Sequence, residues 1–320
     1  MRIGFLMDPL ESIKVHHDST FALMLECQRR GFEVRELRQE WLFWEAGKAR
    51  ARMRTVKVQR EAAHFRVLHD GPAPLDELDV LFLRKDPPLD VAFLWSTLLV
   101  DLSRGPLLIN DPSGLRSANE KLFALRFPQL MPPTLVARDP AQLKAFIEGQ
   151  GGDGVVKPLD GFGGEGVFRV RRGDPNFGGL LDTATHHGAV PVMAQAYLPA
   201  VTEGDKRIIL LDGEPIGAVL RVPQQGELRA NLAAGGSAQR TLLTAREREI
   251  CRTLAPALRQ LGLLFVGIDV IGNYLTEVNV TSPTGLVEID ALNGKSLEAR
   301  VIDFAIERSQ AGARSAASGA

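Results

Sequence analysis

Along the chain, short apolar runs alternate with longer stretches whose apolar residues recur every three or four positions, the pattern of strands alternating with helices. Arg2 to Met7 predicts a first strand, and Ser19 to Arg30 a helix that carries Phe21, Met24 and Leu25 on one face and stops at Gly31. Further strands at Val34 to Leu37, Val80 to Leu83 and Leu107 to Ile109, with a helix over Val91 to Ser103, predict a parallel sheet wound with helices. Leu115, Ala118, Leu122 and Leu125 keep helical spacing and predict one helix leading out of this unit, until Pro128, Pro132 and Pro133 break the chain.

A compact α+β module follows: a strand at Thr134 to Val136, a helix over Pro140 to Glu148, a strand at Gly154 to Lys157, a glycine loop, and a strand at Val167 to Val170. A third module holds a strand at Arg207 to Leu211, a second glycine segment at Gly235-Gly236, a helix from Thr244 to Leu261 and an apolar strand from Leu263 to Ile271. Thr244 and Glu247 form a capping-box pattern, and Ile250, Leu254, Ala257, Leu258 and Leu261 share one face before Gly262 ends the helix. The expected division is therefore 1–118, 119–197 and 198–310. Residues 311–320, small and polar, read as a flexible tail.

Composition narrows the class. At 320 residues the chain exceeds what one core usually organises, and with 45% hydrophobic and 24% charged residues it has an ordinary globular make-up. Thirty-eight basic and 39 acidic side chains leave a net charge of -1, which argues against nucleic acid or an anionic membrane as partner. Lys48 to Arg66 is rich in Lys and Arg and reads as a solvated hairpin or an oligomer surface. Cys27 and Cys251 each fall in a helical segment, so they predict packed thiols in a reducing compartment. The apolar stretch Val91 to Val100 is shorter than the roughly 18 to 20 residues a bilayer crossing needs, and Ile3 to Met7 is too short for a signal-peptide core. A cytoplasmic protein is expected. His16-His17 and His186-His187 are adjacent pairs whose side chains point apart, a poor arrangement for holding a metal.

Two stretches carry chemistry. Gly161-Phe-Gly-Gly-Glu-Gly166 has the GxGxxG spacing of a dinucleotide turn, but the alternation after it predicts a second strand where that turn needs a helix. A glycine-rich hairpin tip remains, able to bring successive backbone N–H groups onto a triphosphate, with Lys157 nearby to counter phosphate charge. In the strand Leu275 to Val280, Glu277 and Asn279 are two apart and share a face, a carboxylate and an amide oxygen suited to Mg²⁺. The plainer alternative is the solvent face of an edge strand. Asp269, among the apolar residues of the preceding strand, favours the metal, provided a three-residue turn brings it opposite Glu277.

Together, Lys121, Lys157, the 161–166 loop, Arg207 and the Asp269, Glu277 and Asn279 face resemble the ATP-grasp ligases. Within that superfamily the chain is similar to the bacterial glutathione synthetases. The likeness rests on Met7-Asp-Pro, Arg84-Lys-Asp-Pro-Pro88, Asn119-Glu-Lys-Leu-Phe123, Lys157-Pro-Leu-Asp-Gly161, Gly204-Asp-Lys-Arg207, Asn231-Leu-Ala-Ala-Gly-Gly236, Phe265-Val-Gly-Ile-Asp269 and the segment 275–284. The resemblance implies an ATP-grasp fold, α/β and α+β, behind an N-terminal parallel-sheet domain. It also implies ATP- and Mg²⁺-dependent joining of γ-glutamylcysteine to glycine, with Mn²⁺ as a substitute metal, in a homotetramer.

Carried over residue by residue, Lys121, Lys157, Gly161, Gly163, Gly164, Gly166, Gln195, Tyr197 and Leu198 would bind ATP, and Asp269, Glu277 and Asn279 the metal. Arg207 would lie over the transferring phosphoryl, with Arg229 and Asn231 near the reacting carboxylate. Ser19, Thr20, Arg84 and Ser282 would meet substrate, and the 161–166 and 224–236 segments would close as lids. Two rivals share these motifs: an ATP-grasp ligase with another acceptor, and a nucleotide-binding scaffold without turnover.

Overall fold

The computed structural model describes residues 1–224 and 235–318. The first sheet is built from β1 (Arg2–Met7), β2 (Glu33–Leu37), β3 (Leu42–Glu45), β4 (Lys48–Val58), β5 (Phe65–Pro74), β6 (Val80–Arg84) and β7 (Leu107–Ile109), with helices α1 (Ser19–Arg29) and α2 (Val91–Val100). Its order is β3-β4-β2-β1-β6-β7, with β5 also on β4. β1 runs parallel to β2 and β6, and β6 to β7, as the alternating pattern predicts. The basic stretch forms the antiparallel β4–β5 hairpin, where Arg52 holds Asp70 through two hydrogen bonds of 2.6 Å.

The expected single helix at 115–125 is instead α3 (Pro112–Ser117) and a separate 3₁₀ turn at Phe123–Arg126. Asn119 causes the break. Its side-chain oxygen accepts from the backbone N–H groups of Lys121 and Leu122, both at 3.0 Å, a local bond that competes with the helix.

The second sheet has the order β10-β9-β11-β8 from β8 (Thr134–Ala137), β9 (Asp153–Pro158), β10 (Phe168–Arg171) and β11 (Val192–Ala196), all antiparallel. Helices α4 (Pro140–Gly149) and α5 (Phe177–Ala184) cover it. The third sheet, order β14-β13-β12-β15-β16, joins β12 (Asp205–Leu211), β13 (Glu214–Val222), β14 (Ser237–Arg240), β15 (Phe265–Ile271) and β16 (Tyr274–Asn279). α6 (Ala245–Gln260) and α7 (Leu286–Asn293) pack on it, while α8 (Leu297–Ser318) returns to pack on α1 and on β6 and β7 of the first sheet. The capping box of α6 is present at Thr244 and Glu247, and Lys206 of β12 pairs with the same Glu247 at 2.8 Å. α8 continues to Ser318, so most of the segment expected as a tail is helical.

Two apolar clusters run continuously from the first sheet into the third, one through Leu6, Leu115 and Val266, the other through Phe5, Phe265 and Val301. The second sheet has a small core of its own around Leu143, Ile147, Val156 and Phe177. Among the described residues no helix is long and apolar enough to cross a membrane.

Candidate active site

β9 ends at Lys157-Pro158, and the chain turns back into β10 through the glycine hairpin. Gly163, Gly164 and Gly166 have φ of +63°, +80° and +70°, in the left-handed region that disfavours side chains. At Gly161 a Cβ would lie 2.6 Å from Cγ of Pro158, so the fold-back there also requires glycine. Lys157 Nζ donates to Gln195 Oε1 at 2.8 Å, and Gln195 Nε2 to Thr134 Oγ1 at 3.0 Å. Burial lowers the pKa of the Lys157 ammonium, against the pull of the Glu277 charge. The Tyr197 ring lies 3.4 Å beneath the Arg169 guanidinium, which Asp153 holds with bonds of 2.8 and 2.5 Å. Lys121, beyond the Asn119 break, bonds the Gly161 carbonyl and lies 3.1 Å from Glu277. Lys121, Lys157, Gly161, Gly163, Gly164, Gln195, Tyr197 and Leu198 line a first cavity between the second and third sheets, and Gly166 stays outside its lining.

The floor is a buried array of alternating charge. Arg207 grips Asp269 through Nε at 2.5 Å and Nη2 at 3.0 Å. Arg221 stands 3.0 Å from Asp269 and donates to Asp205 at 2.6 Å. Burial by itself would raise the Asp269 carboxyl, but the two guanidiniums hold it well below the usual carboxylate range. Asp205 goes the other way, raised by burial despite Arg221.

Asp269 pairs with Glu277, as expected, but by another route. The turn has two residues, setting Ile271 opposite Tyr274, and a bulge at Thr276 restores the register. Asn279 Nδ2 lies 3.4 Å from Asp269 Oδ2, so Asp269, Glu277 and Asn279 stand together at one edge, with the Asn279 amide nitrogen turned to Asp269 and the Asp269 oxygens held by Arg207 and Arg221. A donor set of oxygens alone fits a hard cation such as Mg²⁺.

A second cavity opens beyond this edge, lined by Asp86, Glu120, Arg207, Arg221, Asn279 and Ser282 among others. Phe162, Gly163 and Glu277 line both cavities and mark where they meet. Ser19, Thr20 and Arg84 line neither. Ser19 Oγ accepts from the N–H groups of Gly285 and Leu286 at 3.2 and 3.3 Å. Arg84 donates to Thr20 Oγ1 at 3.0 Å and to the Pro283 carbonyl at 2.9 Å. They fasten the first sheet to the loop whose Thr284 and Gly285 form the second cavity's wall. Arg229, Asn231 and most of the 224–236 segment lie outside the described residues.

Sequence reading assigned nothing to Phe162, Glu120, Asp205 or Arg221. Glu120 and Asp205 stood inside quoted motifs, where only the neighbouring Lys121 and Arg207 drew attention. Arg221 had no local signal, because its place depends on the pairing of β13 with β12.

Models of known families match almost the whole chain: prokaryotic glutathione synthetase, N-terminal domain, over residues 1–116, and prokaryotic glutathione synthetase, ATP-grasp domain, over residues 120–294. The chain belongs to the prokaryotic glutathione synthetase family. The glutathione synthetase of Pseudomonas putida is 48% identical over 312 residues, covering 96% of this chain and 98% of that one. That of Escherichia coli K12 is 46% identical over 307 residues, covering 95% and 97%. Among solved structures, D-cycloserine synthetase DcsG superposes with a TM-score of 0.66 at 17% identity, over 96% of this chain and 99% of that one. The macrocyclase MdnC of Microcystis aeruginosa also gives 0.66, at 14% identity, over 96% and 100%. These two likenesses establish the ATP-grasp fold. As a member of the family the chain is an ATP-dependent ligase.

Proposed function

We propose that this ligase joins γ-L-glutamyl-L-cysteine to glycine, yielding glutathione, ADP and phosphate. The observation that carries the reading is the likeness to glutathione synthetases along the full length, 48% identical over 96% of the chain. The meeting of two cavities at Phe162, Gly163 and Glu277 supports it, because phosphoryl transfer and amide formation need a shared junction.

A carboxylate is a poor electrophile and must be activated. An oxygen of the cysteinyl carboxylate attacks the γ-phosphorus, the bond to the β-phosphate breaks, and ADP departs, leaving an acyl phosphate. The glycine amine then attacks the acyl carbon. A C–N bond forms, the C–O bond to phosphate breaks, and the amine loses its proton.

Lys121, Lys157 and the 161–166 backbone hold the triphosphate in this scheme, and Gln195, Tyr197 and Leu198 border the base. Arg207 lies over the transferring phosphoryl, where fixed positive charge lowers the barrier. Asp269, Glu277 and Asn279 would hold Mg²⁺, or Mn²⁺ in its place, which supplies positive charge to the phosphates. Arg229, Asn231 and Ser282 serve the reacting carboxylate, while Ser19, Thr20 and Arg84 shape the wall of the substrate cavity. Units 1–118, 119–197 and 198–310, a homotetramer and a cytoplasmic setting complete the reading.

The test is ADP release from Mg-ATP with both substrates, with each alone, and with a Glu277→Ala variant. Release that needs both substrates and disappears in the variant is expected. Turnover with neither glycine nor the dipeptide would reject the reading.

A further inference from the structure

Glu120 follows the Asn119 break and is only 7% exposed. Its carbonyl accepts from Val278 N at 2.9 Å, continuing the backbone bonding of β16. One carboxylate oxygen, Oε1, collects three donors: Val280 N at 3.1 Å, Thr281 N at 3.4 Å and Thr281 Oγ1 at 3.0 Å. Among the described residues the other oxygen, Oε2, has no hydrogen-bond donor, and no Lys, Arg or His pairs with the carboxylate. Lys121, its neighbour in sequence, pairs with Glu277.

A carboxylate taken out of water without a cation is costly, so proteins seldom keep one unless a partner arrives from outside. Glu120 lines the second cavity, beside Glu277 and Asn279 and among the hydroxyl-bearing Thr281, Ser282 and Thr284. The only positive group that the proposed substrates bring is an ammonium. The dipeptide's own ammonium lies a glutamyl side chain away from its reacting carboxylate. The amine acceptor's ammonium is on the very atom that must reach the junction of the cavities.

We infer that Glu120 receives the ammonium of the incoming amino acid, which makes the second cavity the acceptor's subsite. This rests on the proposed ligation and adds to it the group that recognises the amine. The carboxylate is anchored through Oε1 to the strand end that carries Glu277 and Asn279, so it presents Oε2 at a fixed place beside the reacting centre.

The test is Glu120→Gln, which keeps an oxygen for Val280 and Thr281 and removes the charge. The KM for glycine should rise about tenfold to a hundredfold, the worth of a hydrogen bond to a charged group. The KM values for dipeptide and ATP, and Mn²⁺ affinity read by electron paramagnetic resonance with ADP present, should stay near wild type. A rise confined to the dipeptide, or weakened Mn²⁺ binding, would overturn the assignment. If the variant does not fold, the wild type decides: glycolate, which replaces the ammonium by a hydroxyl, should compete with glycine only weakly, and competition as strong as glycine's own would overturn it. Wild-type protein inactive on the substrate pair strikes the reaction itself, whereas an unchanged glycine KM in an active variant strikes Glu120 alone.

Discussion

Asp269 and Glu277 face each other across β15 and β16, although the two-residue turn joining these strands would by itself leave them out of step. One extra residue, Thr276, corrects the register. Its hydroxyl donates to the Asp269 carbonyl at 3.1 Å, which pins the bulge beside the carboxylates it aligns. Because side chains alternate along a strand, a slip of one position would send Glu277 to the opposite face.

Inserting one residue between Thr276 and Glu277, which sets the inserted residue opposite Asp269 and turns Glu277 away, is therefore expected to lower kcat at least about a hundredfold, the scale of a misplaced catalytic group, while the circular dichroism spectrum stays native. Thr276→Val keeps the bulge and loses one hydrogen bond, at about 1 kcal/mol of stability, with most activity retained. Full activity in the insertion variant would show that the register of Glu277 is irrelevant.

Arg207 touches Asp269 and the second cavity at once. Arg207→Lys loses the two-pronged fork and is expected to reduce kcat about a hundredfold to a thousandfold with little change in the KM for ATP. Arg221 remains 3.0 Å from Asp269, so the buried carboxylate keeps a cation and the melting temperature should fall little. A variant that instead loses ATP binding at unchanged kcat would place Arg207 outside phosphoryl transfer.

How much of this was legible depends on the range of the forces involved. The α6 cap is local, written in Thr244 and Glu247, and it forms as read. The glycine hairpin was equally local, since alternation after Gly166 distinguished a strand from a helix. The helix proposed across 115–125 failed because apolar spacing says nothing of a side chain that bonds its own backbone, as Asn119 does. The extra residue at Thr276 left no mark, because a bulge is a relation between two strands. Arg221 and Glu120 gained their meaning from partners far along the chain, Asp205 and Thr281.

Phe162 sits at the hairpin tip, 46% exposed, where the two cavities meet. An aromatic ring at that junction can exclude water from the acyl phosphate. Phe162→Ala should release more ADP than glutathione, as hydrolysis competes with the amine, and Phe162→Leu should restore most of the coupling. Equal yields of ADP and glutathione in the Ala variant would remove the ring from this role.

Glu120 also makes stability depend on pH. Burial, with the nearby Glu277 charge, raises its pKa from 4.5 to about 7. The folded protein then holds a proton that the unfolded chain releases, so between these values stability falls as pH rises, by at most about 3 kcal/mol. Glu120→Gln has no proton to lose, and its stability relative to wild type, measured by urea unfolding, should improve on going from pH 5 to pH 8. Saturating glycine should recover part of the wild-type loss at pH 8, because an ammonium beside the carboxylate favours its charged form, and at the same concentration should give a smaller gain, with no such pH dependence, in the Gln variant. Parallel pH profiles for the two proteins would mean that Glu120 already has a cation within the fold, and the acceptor would have to be held elsewhere.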